Sequence, residues 1–222
     1  MNSAVIQLLV LAGIAIFLIL RLRSVLGTRD GFERPALPAA PEAPQNSKLR
    51  VVPSRVPGAP DSDITDHVAE GSPAARALEA MKTVEPAFNV GDFLRGARGA
   101  YEMILMAFQK GDIEAVQPFL GSDVRDSFEQ TIATRRAQGL TVDATFVGIR
   151  ELTLDSATCD EATKVADIIV RFVAEITLVV RNAAGEVVEG SPTEIRRQKD
   201  VWTFSRRMGS TDPNWHLVAT GE

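Results

Sequence analysis

The hydropathy of the 222-residue chain changes character three times. Residues 1 to 20, MNSAVIQLLVLAGIAIFLIL, are apolar almost throughout and carry no charged side chain. A bilayer core of ~30 Å takes about twenty apolar residues at helical rise, so the run is long enough to span it. Its helical backbone would satisfy its own hydrogen bonds, with Gln7 near the outer end. From Glu33 to Ser72 neither helical nor strand periodicity persists, and seven of the twelve prolines fall between positions 35 and 60. Such a stretch buries too little surface to offset its ordering entropy, and its prolines favour an extended tether of ~3.1 Å per residue. The acidic tract of Asp61, Asp63, Asp66 and Glu70 reads as the solvated end of that tether.

Regular patterning resumes at Pro73. The stretch PAARALEAMKTVE has a proline suited to a first helical turn and places Ala77, Leu78 and Met81 on one face. A stronger helix follows: Phe93, Leu94, Ala97, Tyr101, Ile104, Leu105 and Phe108 recur at intervals of three and four, and Gly111 stops it. Asp112 is placed to cap a short helix from Ile113 to Phe119. Ser122 is placed to cap another whose apolar face holds Val124, Phe128 and Ile132 before Gly139.

Beyond Gly139 the period is two. Residues 141 to 154 read as a strand. Ile168, Val170, Phe172, Ala174, Ile176, Leu178 and Val180 form the core face of a long second strand, with Asp167, Arg171, Glu175, Thr177 and Arg181 on a wet face. The segment from Asn182 to Gly185 has hairpin-turn chemistry and Val187 and Val188 begin the return. A further strand runs through Val201 to Phe204, and a last one from Trp215 to Thr220 follows the turn from Ser210 to Asn214. Helices followed by a meander define an α+β domain whose antiparallel sheet curves around the long helix. The chain therefore divides into an anchor (1–23), a flexible proline-rich linker (24–72) and one folded domain (73–222).

Charge refines this outline. Arg21, Arg23 and Arg29 follow the apolar run at once, whereas a cleaved secretory signal has its basic residues in front and a small-residue cleavage site behind. The run reads as a retained single-pass anchor. By the positive-inside bias its N-terminus lies outside and the domain lies in the cytoplasm at the inner membrane. The same arginines can attract anionic lipid at ~1 kcal/mol each. The lone Cys159 cannot form an internal disulfide, which suits a reducing compartment. Residues 73 to 222 hold seventeen Lys and Arg against twenty-two Asp and Glu, a balance that argues against nucleic acid as a partner.

Candidate chemistry is sparse. No His, Cys and Asp cluster has metal-ligand spacing, no glycine-rich phosphate loop follows a strand, and no Ser or Cys sits in a nucleophile motif. No catalytic, cofactor-binding or metal-binding residue is assigned, and no cofactor is expected. An acid or base in the apolar interior could come only from Asp167, His216 or Tyr101, and alternation turns the first two outward. Phe93, Tyr101, Phe108, Trp202 and Trp215 are candidates to line an apolar pocket for an acyl chain or a peptide side chain. Arg95, Arg98 and Lys110 form a candidate basic rim on the long helix. In the late strand, Trp202 and Phe204 share a face with Asp200 and Arg206.

The segments FLRGARGAYEMILMAFQKGDIEAVQPFL, VRFVAEI and, above all, DVWTFSRRMGSTDPNWHL resemble the C-terminal domain of the mitochondrial inner-membrane translocase scaffold Tim-forty-four and its bacterial membrane-anchored relatives. The most specific part is a Trp-x-Phe-x-Arg strand followed by a Ser-x-Asp-Pro-Asn-Trp turn. The resemblance covers residues 73 to 222, and the anchor and tether resemble the bacterial members. It implies a cone like that of nuclear transport factor two, with an apolar cavity, and a scaffold that works at a membrane. The mitochondrial scaffold recruits an Hsp70 chaperone and contacts cardiolipin-rich membrane, but its long basic chaperone-recruiting region has no counterpart here. The expected function is a non-enzymatic, membrane-tethered adaptor that brings a soluble protein partner to the inner membrane in protein translocation or membrane-protein biogenesis. A lipid- or acyl-chain-binding module is the alternative, and a cone-fold isomerase or dehydratase the third reading.

Overall fold

The computed structural model describes residues 61–221. The apolar run, its arginines and the proline-rich segment to residue 60 lie outside the described residues. Among the described residues no helix is long and apolar enough to cross a membrane.

The element on which the others assemble is the long helix Val90–Lys110, which we call α3, after α1 (Ser62–Thr65) and α2 (Pro73–Val84). Asn89 starts it by accepting the Asp92 N–H at 2.8 Å. Gly111 ends it in the left-handed conformation at φ 72°, which a residue without Cβ adopts freely. The expected stripe is buried from Phe93 to Leu105. At its end Phe108 is half-buried while Gln109 is buried instead.

Residues 61–72 are not the tether end that their acidity suggests. Ile64 is buried, and the Asp61 side chain caps α1 by accepting the Asp63 N–H. Lys82 of α2 reaches Asp61 at 2.8 Å and Asp63 at 2.6 Å. Asp63 in turn accepts the N–H groups of Val90 and Gly91 at 2.8 and 3.1 Å, so it joins α1 to the start of α3. Burial alone would raise the Asp63 carboxyl, but Lys82 and the two N–H groups outweigh it and hold it below its ordinary value.

Two caps also differ from expectation. Glu114–Phe119 is a 3-10 helix whose N-cap residue is Ile113, with Asp112 accepting the Glu114 N–H at 3.4 Å, and it contains Pro118, which has no N–H to give. The next helix, α4 (Ser122–Ala137), has Gly121 at its N-cap, and Ser122 already lies inside it.

Four antiparallel strands, β1 (Thr141–Cys159), β2 (Val165–Arg181), β3 (Val187–Arg207) and β4 (His216–Gly221), lie in the order β1-β2-β3-β4. Three register shifts interrupt the β1–β2 pairing, and bulges of this kind bend and twist a strand. The inner face of β2 from Ile168 to Ile176 is buried as its alternation predicts. The two strands expected between Val187 and Phe204 are one continuous strand. Its pairing jumps from Thr177↔Ile195 to Leu178↔Ser191, so residues 192–194, including Pro192, are looped out. Past the jump the burial phase changes, and Val179 is buried where Val180 was expected. Glu175, expected on the wet face, is 7% exposed because Arg150 and Arg197 cover it at 2.8 and 3.5 Å.

Candidate functional site

The interior of the fold is aromatic along α3 and β3. Tyr101 stacks on Phe172 at 4.3 Å and lies 4.6 Å from Trp202. Its hydroxyl donates to the buried Asp200 carboxylate, whose other oxygen accepts from Gln198 at 3.1 Å. Burial, reinforced by Asp200, pushes the Tyr101 hydroxyl above its ordinary range. This pair is a satisfied polar tie across the core.

The cavity lies further toward the start of α3. A groove of about 570 Å³ runs along the outer side of that helix, walled by Phe88, Phe93, Met103, Phe119, Phe204 and Trp215. Three features of the sequence open it. Gly96 and Gly99 put no side chain on the helix floor, and a Cβ at either would meet nothing within 4 Å. Ala100 extends the same small surface. The Gly121 N–H binds the Leu217 carbonyl at 2.8 Å, which ties the segment bearing Phe119 to β4.

The opposite wall is the Asp-Pro-Asn-Trp turn, and Arg206 holds it. Lying on the inner face of β3 with Trp202 and Phe204, Arg206 is only 9% exposed. One guanidinium nitrogen donates to the Pro213 carbonyl at 3.1 Å, another to the Glu85 carboxylate at the end of α2. The guanidinium also lies 5.4 Å over the Trp215 ring. Glu85 accepts the Gly209 N–H at 3.1 Å as well. The Arg206 bond, opposed by burial and aided by Gly209, keeps the Glu85 carboxyl below its ordinary range. Within the turn Asp212 accepts the Asn214 N–H at 2.9 Å. Trp215 is thereby set 4.8 Å from Phe93 and 6.0 Å from Phe88, both in tilted or edge-on contact.

Of the five aromatic residues singled out from the sequence, the fold brings Phe93 and Trp215 together in the groove. Tyr101 and Trp202 lie in the closed core beside it. Phe108 is at the far end of α3, in tilted contact with Phe128 at 4.4 Å and with Arg135 over its ring. The basic rim is likewise dispersed. Arg95 is at the groove lip, paired with Asp92; Arg98 is exposed; and Lys110 is at the other end of the helix. Arg206, Glu85 and Phe88 were not among the candidate site residues read from the sequence. A usable signal was present for Arg206, since a charge in phase with two inward aromatics must be bonded inside. Asp167 and His216 are half-buried. Among the described residues no group of three or more His, Cys, Asp or Glu is arranged to hold a metal ion.

The fold is thus an α+β domain with an apolar groove whose wall is braced by a buried arginine. The chain belongs to the Tim44-like domain family, whose sequence model matches residues 74–222, more than half of its length. It is 27% identical over 144 residues to the mitochondrial import inner membrane translocase subunit TIM44 of Homo sapiens, and 24% identical to that of Mus musculus. Each alignment covers 64% of this chain and 31% of the relative, so the chain matches about a third of the length of these curated relatives. The crystal structure of the intermembrane space region of the chloroplast protein ARC6 overlaps with 58% of this chain and 94% of that one, at 14% identity and a TM-score of 0.40.

Proposed function

We propose that this protein is a membrane-tethered adaptor that presents the groove beside α3 to an apolar segment of a soluble protein partner during protein translocation at an inner membrane. The observation that carries this reading is the groove itself, in a chain of the Tim44-like family whose curated relatives are named as inner-membrane translocase subunits. Its walls are aromatic and its floor is bare helix, which suits bulky apolar side chains. Its lip supports a peptide over an anionic headgroup. Glu85 and Asp92 lie there with Asn89 and Asn214, and the one lip cation, Arg95, is already paired with Asp92. In this reading residues 1–23 anchor the chain with its N-terminus outside, Arg21 and Arg23 fix that orientation, and the domain is cone-shaped.

A photo-crosslinking residue at Met103, a groove-wall position 43% exposed, tests the proposal in intact cells. The expected product is a discrete protein adduct that disappears when Trp215 is replaced by alanine. Adducts to lipid with no protein adduct would overturn it in favour of acyl-chain binding. Deletion of residues 1–23 should abolish function while leaving the domain folded, and full function of the soluble fragment would refute the tether.

A further inference from the structure

At the end of α3 remote from the groove, a hollow of about 320 Å³ opens between the last turns of α3 and α4 and the start of β1. Lys110, Arg135 and Arg136 line it, and no Asp or Glu does. Two of its polar groups are unusual. Gln109 is nine-tenths buried, lines the hollow, and its side-chain oxygen has no hydrogen-bond partner. The Nη1 of Arg135 is buried without a partner too, although the guanidinium is fixed 4.5 Å over the Phe108 ring. Buried polar groups are ordinarily bonded, so two open valences on one hollow indicate a missing ligand.

The charge of that ligand follows from its surroundings. Burial pulls the Arg135 guanidinium below its ordinary range, which marks a cation with too little compensation. The acid that acts on it, Glu189, is itself bonded to Arg196 at 3.2 Å. The C-terminal dipoles of α3 and α4 oppose an anion, but each amounts to about half a charge against three cations. Arg136 also covers the α3 end by donating to the Gly111 carbonyl at 2.5 Å. We propose that this hollow binds a phosphate group. A tetrahedral phosphate offers several acceptor oxygens to a guanidinium fork and to Lys110. The Gln109 amide can turn so that its nitrogen, a donor, faces the phosphate. The phosphate belongs to a soluble phosphomonoester or to a lipid headgroup.

Titration of the full chain with inorganic phosphate, followed by calorimetry, tests the chemistry. Saturable binding is expected. Arg135→Gln should weaken it by about tenfold, the equivalent of one charged hydrogen bond, and Lys110→Gln severalfold, while Arg98→Gln on the exposed face leaves it unchanged. Lys110 is exposed, so its variant decides the matter if Arg135→Gln does not fold. Phosphatidylcholine vesicles with and without phosphatidic acid separate the sources. Retention on phosphatidic acid that falls in the Arg135 and Lys110 variants assigns the headgroup; equal retention with impaired phosphate titration assigns the soluble ester. Absence of saturable phosphate binding together with unchanged vesicle retention would overturn the proposal, as would equal weakening by all three substitutions.

Discussion

Replacing Arg206 by methionine removes the brace of the groove wall while keeping an unbranched side chain beside Trp215. Four interactions go: the bond to the Pro213 carbonyl, the ion pair with Glu85, the weak bond to the Met208 sulfur at 3.8 Å and the contact of the guanidinium with the Trp215 ring. A hydrogen bond from a charged donor is worth ~1.5–3 kcal/mol and a cation over an aromatic face ~0.5–1 kcal/mol. Stranding one member of a buried ion pair costs about 3–5 kcal/mol. The Glu85 side chain is 28% exposed, so water recovers much of that last quantity. Removal of the buried Nε, which has no partner, offsets part of the loss. The net expectation is ~2–4 kcal/mol. Glu85→Gln keeps an acceptor for Arg206 and Gly209 and should cost ~1 kcal/mol. Urea unfolding of both variants and the double variant, followed by the fluorescence of Trp202 and Trp215, closes the cycle. A coupling of ~1–2 kcal/mol is expected; one below ~0.5 kcal/mol would mean that the two residues act independently and that the turn is held by other contacts.

The same pair fixes a pH dependence. The Glu85 carboxyl is held below its unfolded value of 4.5, so its contribution is present above that pH and disappears as pH falls through the lower folded-state value. Wild type should therefore lose stability below about pH 4.5 more steeply than Glu85→Gln, and parallel acid titrations of the two would refute the assignment. Gly96→Ala and Gly99→Ala should each stabilise the chain by ~0.5–1 kcal/mol while narrowing the groove floor and weakening the Met103 crosslink. Stabilisation with an undiminished crosslink would show that the floor is not used. Tyr101→Phe leaves Asp200 with Gln198 alone and should cost ~2 kcal/mol in urea unfolding; a loss under ~0.5 kcal/mol would show that water replaces the hydroxyl. At Gly190, φ is +74° and an added Cβ would fall 2.0 Å from the Leu178 carbonyl oxygen. Gly190→Ala should then cost more than the ~1–2 kcal/mol expected of Gly185→Ala, where φ is +84° and space is open.

The long helix and the inner face of β2 were readable because one residue in every turn or every second position reports the same environment. An error at one site does not shift the phase. The bulge at 192–194 was not readable in that way: the pairing jump resets the phase, so Val187 and Val201 looked like parts of separate strands. The acidic tract at 61–70 misled for a different reason. Two of its carboxylates, Asp61 and Asp63, are matched by Lys82 and by N–H groups at the start of α3, some twenty to thirty residues away, and composition within the tract carries no trace of them. Phe108 continued the helical stripe and so was grouped with Phe93, but about four turns of phase on one face do not place two residues in one cavity: at 1.5 Å per residue they stand ~22 Å apart.

The Trp-x-Phe-x-Arg strand and the Asp-Pro-Asn-Trp turn admitted two separate explanations in sequence, one for folding and one for binding. The geometry joins them. Trp202 and Phe204 are core residues, and they leave Arg206 as the next inward position, where the strand emerges beside α2 and the turn. A buried guanidinium there must find acceptors, and it finds the Pro213 carbonyl and Glu85. Those bonds position Trp215, which is only half-buried and makes the groove wall with Phe93 and Phe88. The turn is thus placed by Arg206 together with the Gly209 N–H on Glu85. Substitutions at Arg206 should therefore disturb the groove before they unfold the sheet, which separates this arginine from the core aromatics two and four residues before it.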